Sequence, residues 1–260
     1  MKKQIHFYVA LFLIFNLSNL TAQDSSKAKD STKQATKELP LEPTRKVNFT
    51  TDKGTWISVD VSPDGTTIMF DMMGDLYTIP MAGGKATRIT EGMPYDVHPR
   101  YSPDGKSILF ISDKSGSDNL WTMDLATKEQ KQLTKDKDKY HVSAAWSPDG
   151  EYIVGTHGRR NIKPFIVHKD GGAGADLMKE EKAWKLIDPT FSADGKHIYF
   201  SSRRGAWNYN AQLPQYQITS FDREDGTTET ITSRYGSAFT PTVSKDGQWL
   251  VYGSRFEEHT

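Results

Sequence analysis

The residues in this sequence that are best able to do chemistry are its histidines, because imidazole serves as a general base or a metal ligand near neutral pH. No G-x-S-x-G, H-E-x-x-H or H-x-H motif is present, so the sequence offers no nucleophile elbow and no compact set of metal ligands. We therefore interpret the histidines as structural or surface residues, and we predict no catalytic and no metal-binding residue in this segment. The histidines concerned are His98, His141, His157, His168 and His197.

Three short segments contain the glycine or acidic residues that ligand-binding loops use. Gly171–Gly174 lacks the Lys-Ser/Thr pair of a phosphate-binding loop, so it is better interpreted as a turn. The acidic residues of Asp222–Gly226 are spaced wrongly for a calcium loop, which again favours a turn between strands. Asp136 and Asp138 alternate with lysines that would repel a cation, so we predict a solvated loop there.

The best candidate for a binding surface is a stretch rich in aromatic and arginine residues, from Arg203 to Pro214 and on to Tyr216. This composition is typical of interface hot spots. The alternative is that the rings only cover the edge of a sheet, and the sequence leaves both interpretations open. The candidate interface residues are Arg203, Arg204, Trp207, Tyr209 and Tyr216.

The elements that must position these residues follow from an internal repeat. The tetrapeptide Ser-Pro-Asp-Gly begins at Ser62, Ser102 and Ser147, and degenerate copies begin at Ser192 and Ser244. The intervals are 40, 45, 45 and 52 residues. A period of this length in a sequence rich in strand patterns is typical of four-stranded propeller blades.

The tetrapeptide has the chemistry of a tight turn between two strands. Proline presets φ near −65°, aspartate accepts hydrogen bonds from backbone N–H groups, and glycine adopts the left-handed conformation. The predicted structural turn residues are Pro63, Asp64, Gly65, Pro103, Asp104, Gly105, Pro148, Asp149, Gly150, Asp194, Gly195, Asp246 and Gly247. An aromatic or β-branched residue precedes each turn: Val61, Tyr101, Trp146, Phe191 and Val243.

We predict an all-β fold, a β-propeller of four-stranded blades with about four and a half blades and hence an incomplete ring. The partial propeller spans 47–260, with blades near 54–90, 97–134, 142–179, 187–232 and 239–260. Because a propeller hides its sheet edges by closing, we expect the chain to be a fragment. The alternative is a five-bladed protein whose last blade is degenerate.

The N-terminal region predicts export. Residues 1–22 combine a basic start at Lys2 and Lys3 with an apolar run and a small residue at Ala22, as in a secretory signal peptide. Residues 23–46 contain no aromatic residue and are predicted to be a disordered linker. We expect a periplasmic or secreted protein with no membrane span after signal cleavage.

Composition excludes several other classes of protein. Lys and Arg together number 33, as do Asp and Glu, so the zero net charge argues against a nucleic-acid partner. The chain has no cysteine, which removes disulfides and thiolate chemistry. A mean hydropathy of −0.64 is too low for a protein with many membrane spans.

The repeat resembles that of TolB-type propellers. The unit runs from Pro99 to Lys106 and continues through Asn119-Leu120-Trp121 to Gln132-Leu133-Thr134. Three longer stretches look like the N-terminal propeller of exported amidohydrolase-family proteins: 54–61 running into 70–77, 201–211 with 214–217, and 232–239.

The resemblance implies a non-catalytic accessory, substrate-access or docking domain. Its parent would be a metal-dependent hydrolase of the amidohydrolase type. We expect no cofactor in this segment and a divalent metal, zinc, in a hydrolase domain downstream. The partner would be that domain or a periplasmic protein. Two alternatives remain: a periplasmic TolB-like protein-binding module, and the propeller of a prolyl-oligopeptidase-like serine peptidase.

Overall fold

A computed structural model describes residues 45, 47–159, 161–178, 184–204, 216–233 and 237–254, without the side chains of residues 184 and 204. Within these residues the chain forms eighteen β-strands. Most of them form antiparallel sheets whose strands follow one another in chain order. The prediction of an all-β propeller fold is confirmed.

The strands group into five blades. Blade 1 contains β1 (Val59–Val61), β2 (Thr67–Met72), β3 (Asp75–Pro80) and β4 (Thr87–Arg88). Blade 2 contains β5 (Asp96–Tyr101), β6 (Ser107–Ser112), β7 (Asn119–Asp124) and β8 (Gln130–Gln132). Blade 3 contains β9 (Tyr140–Trp146), β10 (Tyr152–Gly158), β11 (Ile162–His168) and β12 (Ala175–Asp176). Blade 4 contains β13 (Trp184–Phe191), β14 (His197–Arg204), β15 (Gln217–Asp222) and β16 (Thr228–Thr230), and blade 5 contains β17 (Ala238–Val243) and β18 (Leu250–Ser254).

The first strand of each blade is the inner one, and the inner strands form an arc. β1 contacts β5, β5 contacts β9, β9 contacts β13, and β13 contacts β17. Among the described residues β1 and β17 make no contact, so ring closure is not detected. Blades 3 and 4 are also joined directly, because β11 pairs with β13 in parallel at Ile162 and Lys185.

The fourth strands of blades 1, 2 and 4 end before the predicted last residue of the blade, and a threonine explains why. Thr90, Thr134 and Thr232 are the predicted last residues of these blades, and each lies two residues beyond the fourth strand. Their hydroxyl oxygens accept hydrogen bonds from the N–H groups of Leu76, Leu120 and Ile218 at 2.9 Å. The side chain thus replaces the carbonyl that one more strand residue would supply.

The hydrophobic core lies between neighbouring blades. Met69 and Leu76 of blade 1 pack with Ile108, Phe110 and Met123 of blade 2. Equivalent clusters join blade 2 to blade 3 and blade 3 to blade 4. Since each blade completes its core with residues of the next, the blades stabilise one another in sequence.

The tetrapeptide turns also link neighbouring blades. In all five copies the glycine has a φ of 72° or 73°, and the aspartate accepts a hydrogen bond from the backbone N–H two residues later. A Cβ atom on Gly105 would lie 3.4 Å from Pro63 Cδ, and one on Gly150 would lie 3.6 Å from Pro103 Cδ. The proline of one blade therefore packs on the turn glycine of the next.

We expect Ala193→Pro to stabilise the chain. Ala193 occupies the proline position of the fourth turn and lies beside Gly247, as the prolines lie beside their glycines. Within the described residues its N–H donates no hydrogen bond. Because proline restricts the unfolded chain, the free energy of unfolding should rise by about 0.4–1 kcal/mol in urea denaturation.

The matched control for this substitution is Ala126→Pro. The Ala126 N–H donates to Asp124 Oδ1 at 2.9 Å, so proline there removes a hydrogen bond and should destabilise the chain by about 1 kcal/mol or more. Equal effects of the two substitutions would contradict the assignment of Ala193 to the common turn geometry.

Candidate binding site on the propeller axis

The inner ends of all five blades enclose one pocket of about 340 Å³, which we call the axial pocket. The residues that precede the five turn serines line it, together with the residues that follow them. The first set is Val61, Tyr101, Trp146, Phe191 and Val243, and the second is Pro63, Pro103, Pro148, Ala193 and Lys245. The wall is therefore largely apolar and contains three aromatic residues and three prolines.

A polar residue lies four positions before each turn serine, in the inner strand or just before it. Three of them, His98, Asp188 and Thr240, have φ values of 51–56° and precede a proline. A β-bulge interrupts the strand pairing at each of these sites. The bulge turns the backbone N–H of the residue away from its own blade and toward the preceding one.

These N–H groups donate to side chains of the preceding blade. His98 N donates to Asp71 Oδ2, Asp188 N donates to Ser143 Oγ, and Thr240 N donates to Ser201 Oγ, each at 2.8 Å. A polar side chain thus links neighbouring blades at these three positions, although its residue type differs. The sequence signal is the donor residue, which precedes a proline and lies four residues before the turn serine.

Ser58 and His98 form a hydrogen-bonded pair of the residue types that catalytic dyads use. Ser58 Oγ lies 2.8 Å from His98 Nδ1. The nearby Asp71 carboxylate, however, accepts hydrogen bonds from the backbone N–H groups of Ser58 and His98 and not from the imidazole. The Asp71 carboxylate therefore does not orient the His98 imidazole, as the acidic residue of a catalytic triad does.

Charge in the axial pocket comes from Asp60 and Arg100, and the Asp188 carboxyl interacts with Arg100 without lining the pocket. Burial raises the pKa of the Asp60 and Asp188 carboxyls, while the positive charge of Arg100 opposes this shift in both. Asp60 Oδ2 also accepts the Tyr101 N–H at 2.7 Å, and Arg100 Nη1 donates to the Pro99 carbonyl at 2.8 Å. The apolar wall thus ends on a mixed acidic and basic floor.

We expect Asp188→Asn to stabilise the chain at neutral pH. A carboxyl whose pKa is raised on folding favours folding in its neutral form, so that contribution is lost as pH rises through the pKa of the folded state. Asparagine stays neutral and tolerates the positive φ of this position. The gain in the free energy of unfolding should be present at pH 7 and vanish below the ordinary pKa of aspartate.

Asp149→Asn should show the opposite sign. Hydrogen bonds from Ser147 and the Glu151 N–H lower the pKa of the Asp149 carboxyl, so its contribution is present at neutral pH and is lost as pH falls. Urea titrations at pH 3 and pH 7 compare the two variants. Parallel behaviour of both would contradict the stated origin of the Asp188 shift.

The predicted interface residues do not form one exposed cluster within the described structure. Arg203 lies in β14, which continues to Arg204, and it is buried, with 8% of its surface exposed. Tyr216 is half-buried next to β15. The side chain of Arg204, and the residues Trp207 and Tyr209, lie outside the described part, so the surface itself stays a prediction.

Two of the histidines that the sequence analysis interprets as structural or surface residues lie together. The ring centroids of His141 and His157 are 5.5 Å apart, and Asp136 approaches both. The prediction that Asp136 lies in a solvated loop is wrong for its side chain, since Asp136 is half-buried against these rings. His98, His168 and His197 lie apart from this group.

The other two segments are turns. Gly171–Gly174 connects β11 to β12 with three glycines of positive φ, and Asp222–Gly226 connects β15 to β16. Asp222 Oδ1 accepts the N–H groups of Glu224 and Asp225, which is a local turn contact. No helix among the described residues has the length and apolar content of a transmembrane span.

Comparison with known families identifies the repeat. Residues 56–185 match the model of the Tricorn protease N-terminal beta propeller domain. The chain belongs to this propeller family. The match runs from the residues just before β1 to the start of β13, so it covers the first three blades described above.

Relatives of the chain include a Tol-Pal system protein and peptidases. The Tol-Pal system protein TolB of Francisella tularensis subsp. holarctica is 31% identical over 182 residues, which cover 68% of this chain and 39% of TolB. The uncharacterized peptidase YuxL of Bacillus subtilis is 31% identical over 175 residues, covering 65% of this chain and 23% of YuxL. This chain therefore spans well under half the length of either relative.

Solved structures show the same fold. The putative TolB from Agrobacterium tumefaciens superposes with a TM-score of 0.66 at 24% identity, over 76% of this chain and 69% of that one. These relatives support the resemblance to TolB and the two alternatives better than the amidohydrolase interpretation, which stays a prediction.

Proposed function

We propose that this chain is the non-catalytic propeller of a larger exported protein and that it binds a polypeptide at the axial pocket. The observation that carries the proposal is the pocket itself, because every blade contributes an apolar residue to one wall. Aromatic side chains in a concave, partly desolvated site are typical anchors for a protein partner. The similarity to TolB and the N-terminal signal-peptide pattern support export.

The charged floor gives the pocket a means of selecting its occupant. Arg100 and Asp60 line the pocket together with the apolar wall, and Asp188 interacts with Arg100. An apolar or aromatic side chain fits the wall, and a backbone amide can pair with either charge at the floor. We therefore expect extended peptide segments with an exposed apolar residue as ligands.

A second role is favoured by the peptidase relatives. YuxL is named as a peptidase, and the dipeptidyl-peptidase 5 of Porphyromonas gingivalis is 32% identical over 110 residues. In a peptidase parent, the same pocket would contact the peptide on its way to the catalytic domain. Both roles require the propeller to bind polypeptide, so one binding experiment addresses them together.

The experiment is a selection of random peptides on the full chain, followed by fluorescence anisotropy with the selected peptides. Val61→Arg places a charged side chain at the pocket wall, at a residue that is 44% exposed and therefore tolerant. It should raise the peptide Kd at least about tenfold. The matched control, Val251→Arg, lies on β18 outside the pocket and is 61% exposed.

Peptides whose Kd is unchanged by Val61→Arg would contradict binding at the axial pocket. Hydrolysis of peptides or esters by the isolated chain would contradict a non-catalytic role. The identity of the parent enzyme is tested separately, by measuring the metal content and the amidase and peptidase activities of the protein from its native source.

A further inference from the structure

A second site, independent of the axial pocket, lies on blade 3 around four residues that we call the histidine–aspartate cluster: Asp136, His141, His157 and Asp176. His141 lies on β9, His157 on β10 and Asp176 on β12, while Asp136 precedes β9. The two imidazoles are 4% and 7% exposed. Four segments of the chain thus place metal-ligand side chains at one point.

A β-bulge brings the two histidines together. Thr156 pairs with Ser143, but His157 pairs with His141, so Val142 has no partner on β10. In a regular ladder His157 would oppose Val142. Residues directly opposite on antiparallel strands project from the same face, and the bulge therefore puts both imidazoles on the face that meets Asp136.

The distances suit a metal ion. Asp136 Oδ2 lies 3.0 Å from His141 Nε2 and 3.5 Å from His157 Nδ1, and one ligand atom from each residue falls within 4.8 Å of the others. Ligands held at about 2.0–2.1 Å in a tetrahedral zinc site are separated by about 3.3 Å. A small inward adjustment would therefore complete three corners of such a site.

The protons of His157 point to the same conclusion. His157 Nε2 lies 3.0 Å from Asp176 Oδ1, so its N–H donates there. In a neutral ring, Nδ1 then carries a lone pair and faces the Asp136 carboxylate, which brings further lone pairs. A cation placed between them would therefore receive lone pairs from both residues.

The contact with Asp176 is the arrangement that orients metal-bound histidines. A ligating imidazole almost always donates its other N–H to a carboxylate, a carbonyl or water. His141 is kept neutral because burial lowers its pKa to about 4, although Asp136 opposes this. Its Nδ1 has no hydrogen-bond partner within the described part of the chain.

The cluster opens on a pocket of about 570 Å³ that is lined by Asp136, His157 and Asp176 and by the turn of Gly172–Gly174. This space admits a metal ion and leaves room for a fourth ligand. Lys135 and Lys139 also line the pocket and are exposed. Because both ammonium groups are solvated, their repulsion of a bound cation is screened.

We propose that Asp136, His141 and His157 bind a divalent transition metal, with zinc as the best match, and that Asp176 orients His157. Two imidazoles and one carboxylate form a donor set that suits zinc. The metal would tie the segment before β9 to the first two strands of blade 3. A fourth position would remain open toward the pocket.

The test is titration of the tag-free, chelator-treated full chain with zinc at neutral pH, followed by calorimetry. We expect about one zinc ion per chain and a zinc-dependent rise in Tm. Asp136→Asn keeps the shape of a half-buried side chain and should weaken binding by at least about 100-fold, whereas Asp176→Asn should weaken it by about 10- to 100-fold. His157→Gln should remove binding, with circular dichroism to establish that the variant folds.

The matched control is His168→Gln. His168 also lies beside two carboxylates, with Nε2 3.7 Å from Glu151 and Nδ1 3.5 Å from Asp170, yet it is outside the cluster and should leave zinc affinity unchanged. Absence of zinc binding at millimolar zinc would overturn the proposal. Binding that survives Asp136→Asn, or that His168→Gln removes, would overturn it as well.

Discussion

Replacing Phe200 with alanine will lower the free energy of unfolding by about 3–5 kcal/mol. Phe200 lies in β14 and is completely buried. It packs with Val154 of blade 3 and with Leu186 and Phe221 of blade 4. Alanine leaves a cavity between two blades, where the strand backbones are held by their ladders and cannot collapse to fill it.

Urea denaturation followed by circular dichroism measures this loss, and Phe49→Ala is the control. Phe49 is 59% exposed, so its truncation should change the free energy of unfolding by less than about 0.5 kcal/mol. The m-value should stay the same for both variants. A loss below about 1 kcal/mol for Phe200→Ala would mean that the blades do not share this core.

Asp71→Ala will destabilise the chain by about 3–5 kcal/mol, because two hydrogen bonds to a carboxylate are lost at once. Asp71 is buried, and its two oxygens accept the N–H groups of Ser58 in blade 1 and His98 in blade 2, each at 2.8 Å. Alanine leaves both N–H groups without a partner on the inner face of the blades.

The matched control is Asp138→Ala, which removes an exposed aspartate and should have little effect. Hydrogen exchange locates the loss. The N–H of His98 should lose its protection in Asp71→Ala, while that of Asp188, which donates to Ser143, should keep it. Uniform loss of protection across all blades would argue against a local link between blades.

The fold was predictable because its determinants are local. The tetrapeptide sets proline, aspartate and left-handed glycine within four residues, and period-two alternation marks the strands on either side. The threonine that ends the repeat unit was recognisable in the sequence as part of the repeat. Its role as the acceptor that ends the fourth strand required the register of Leu76 and Thr90.

The candidate sites depend on register and on bulges, which a single sequence does not show. His141 and His157 are sixteen residues apart, and only the unpaired Val142 brings them to one face. Asp136 looked solvated because its neighbours are lysines, yet the path of the loop turns its carboxylate inward. The residues that precede the turns were recognised in the sequence, but their convergence on one pocket is visible only in the arc of inner strands.

The contact between a proline and the turn glycine of the next blade is the same at every blade boundary where both residues occur. Blades 2 and 3 each carry the proline of one such contact and the glycine of another. A gene duplication of either unit would therefore reproduce this proline–glycine contact at the new boundary without a further substitution. For this contact the two blades are interchangeable, whereas the apolar residues between blades differ from one boundary to the next.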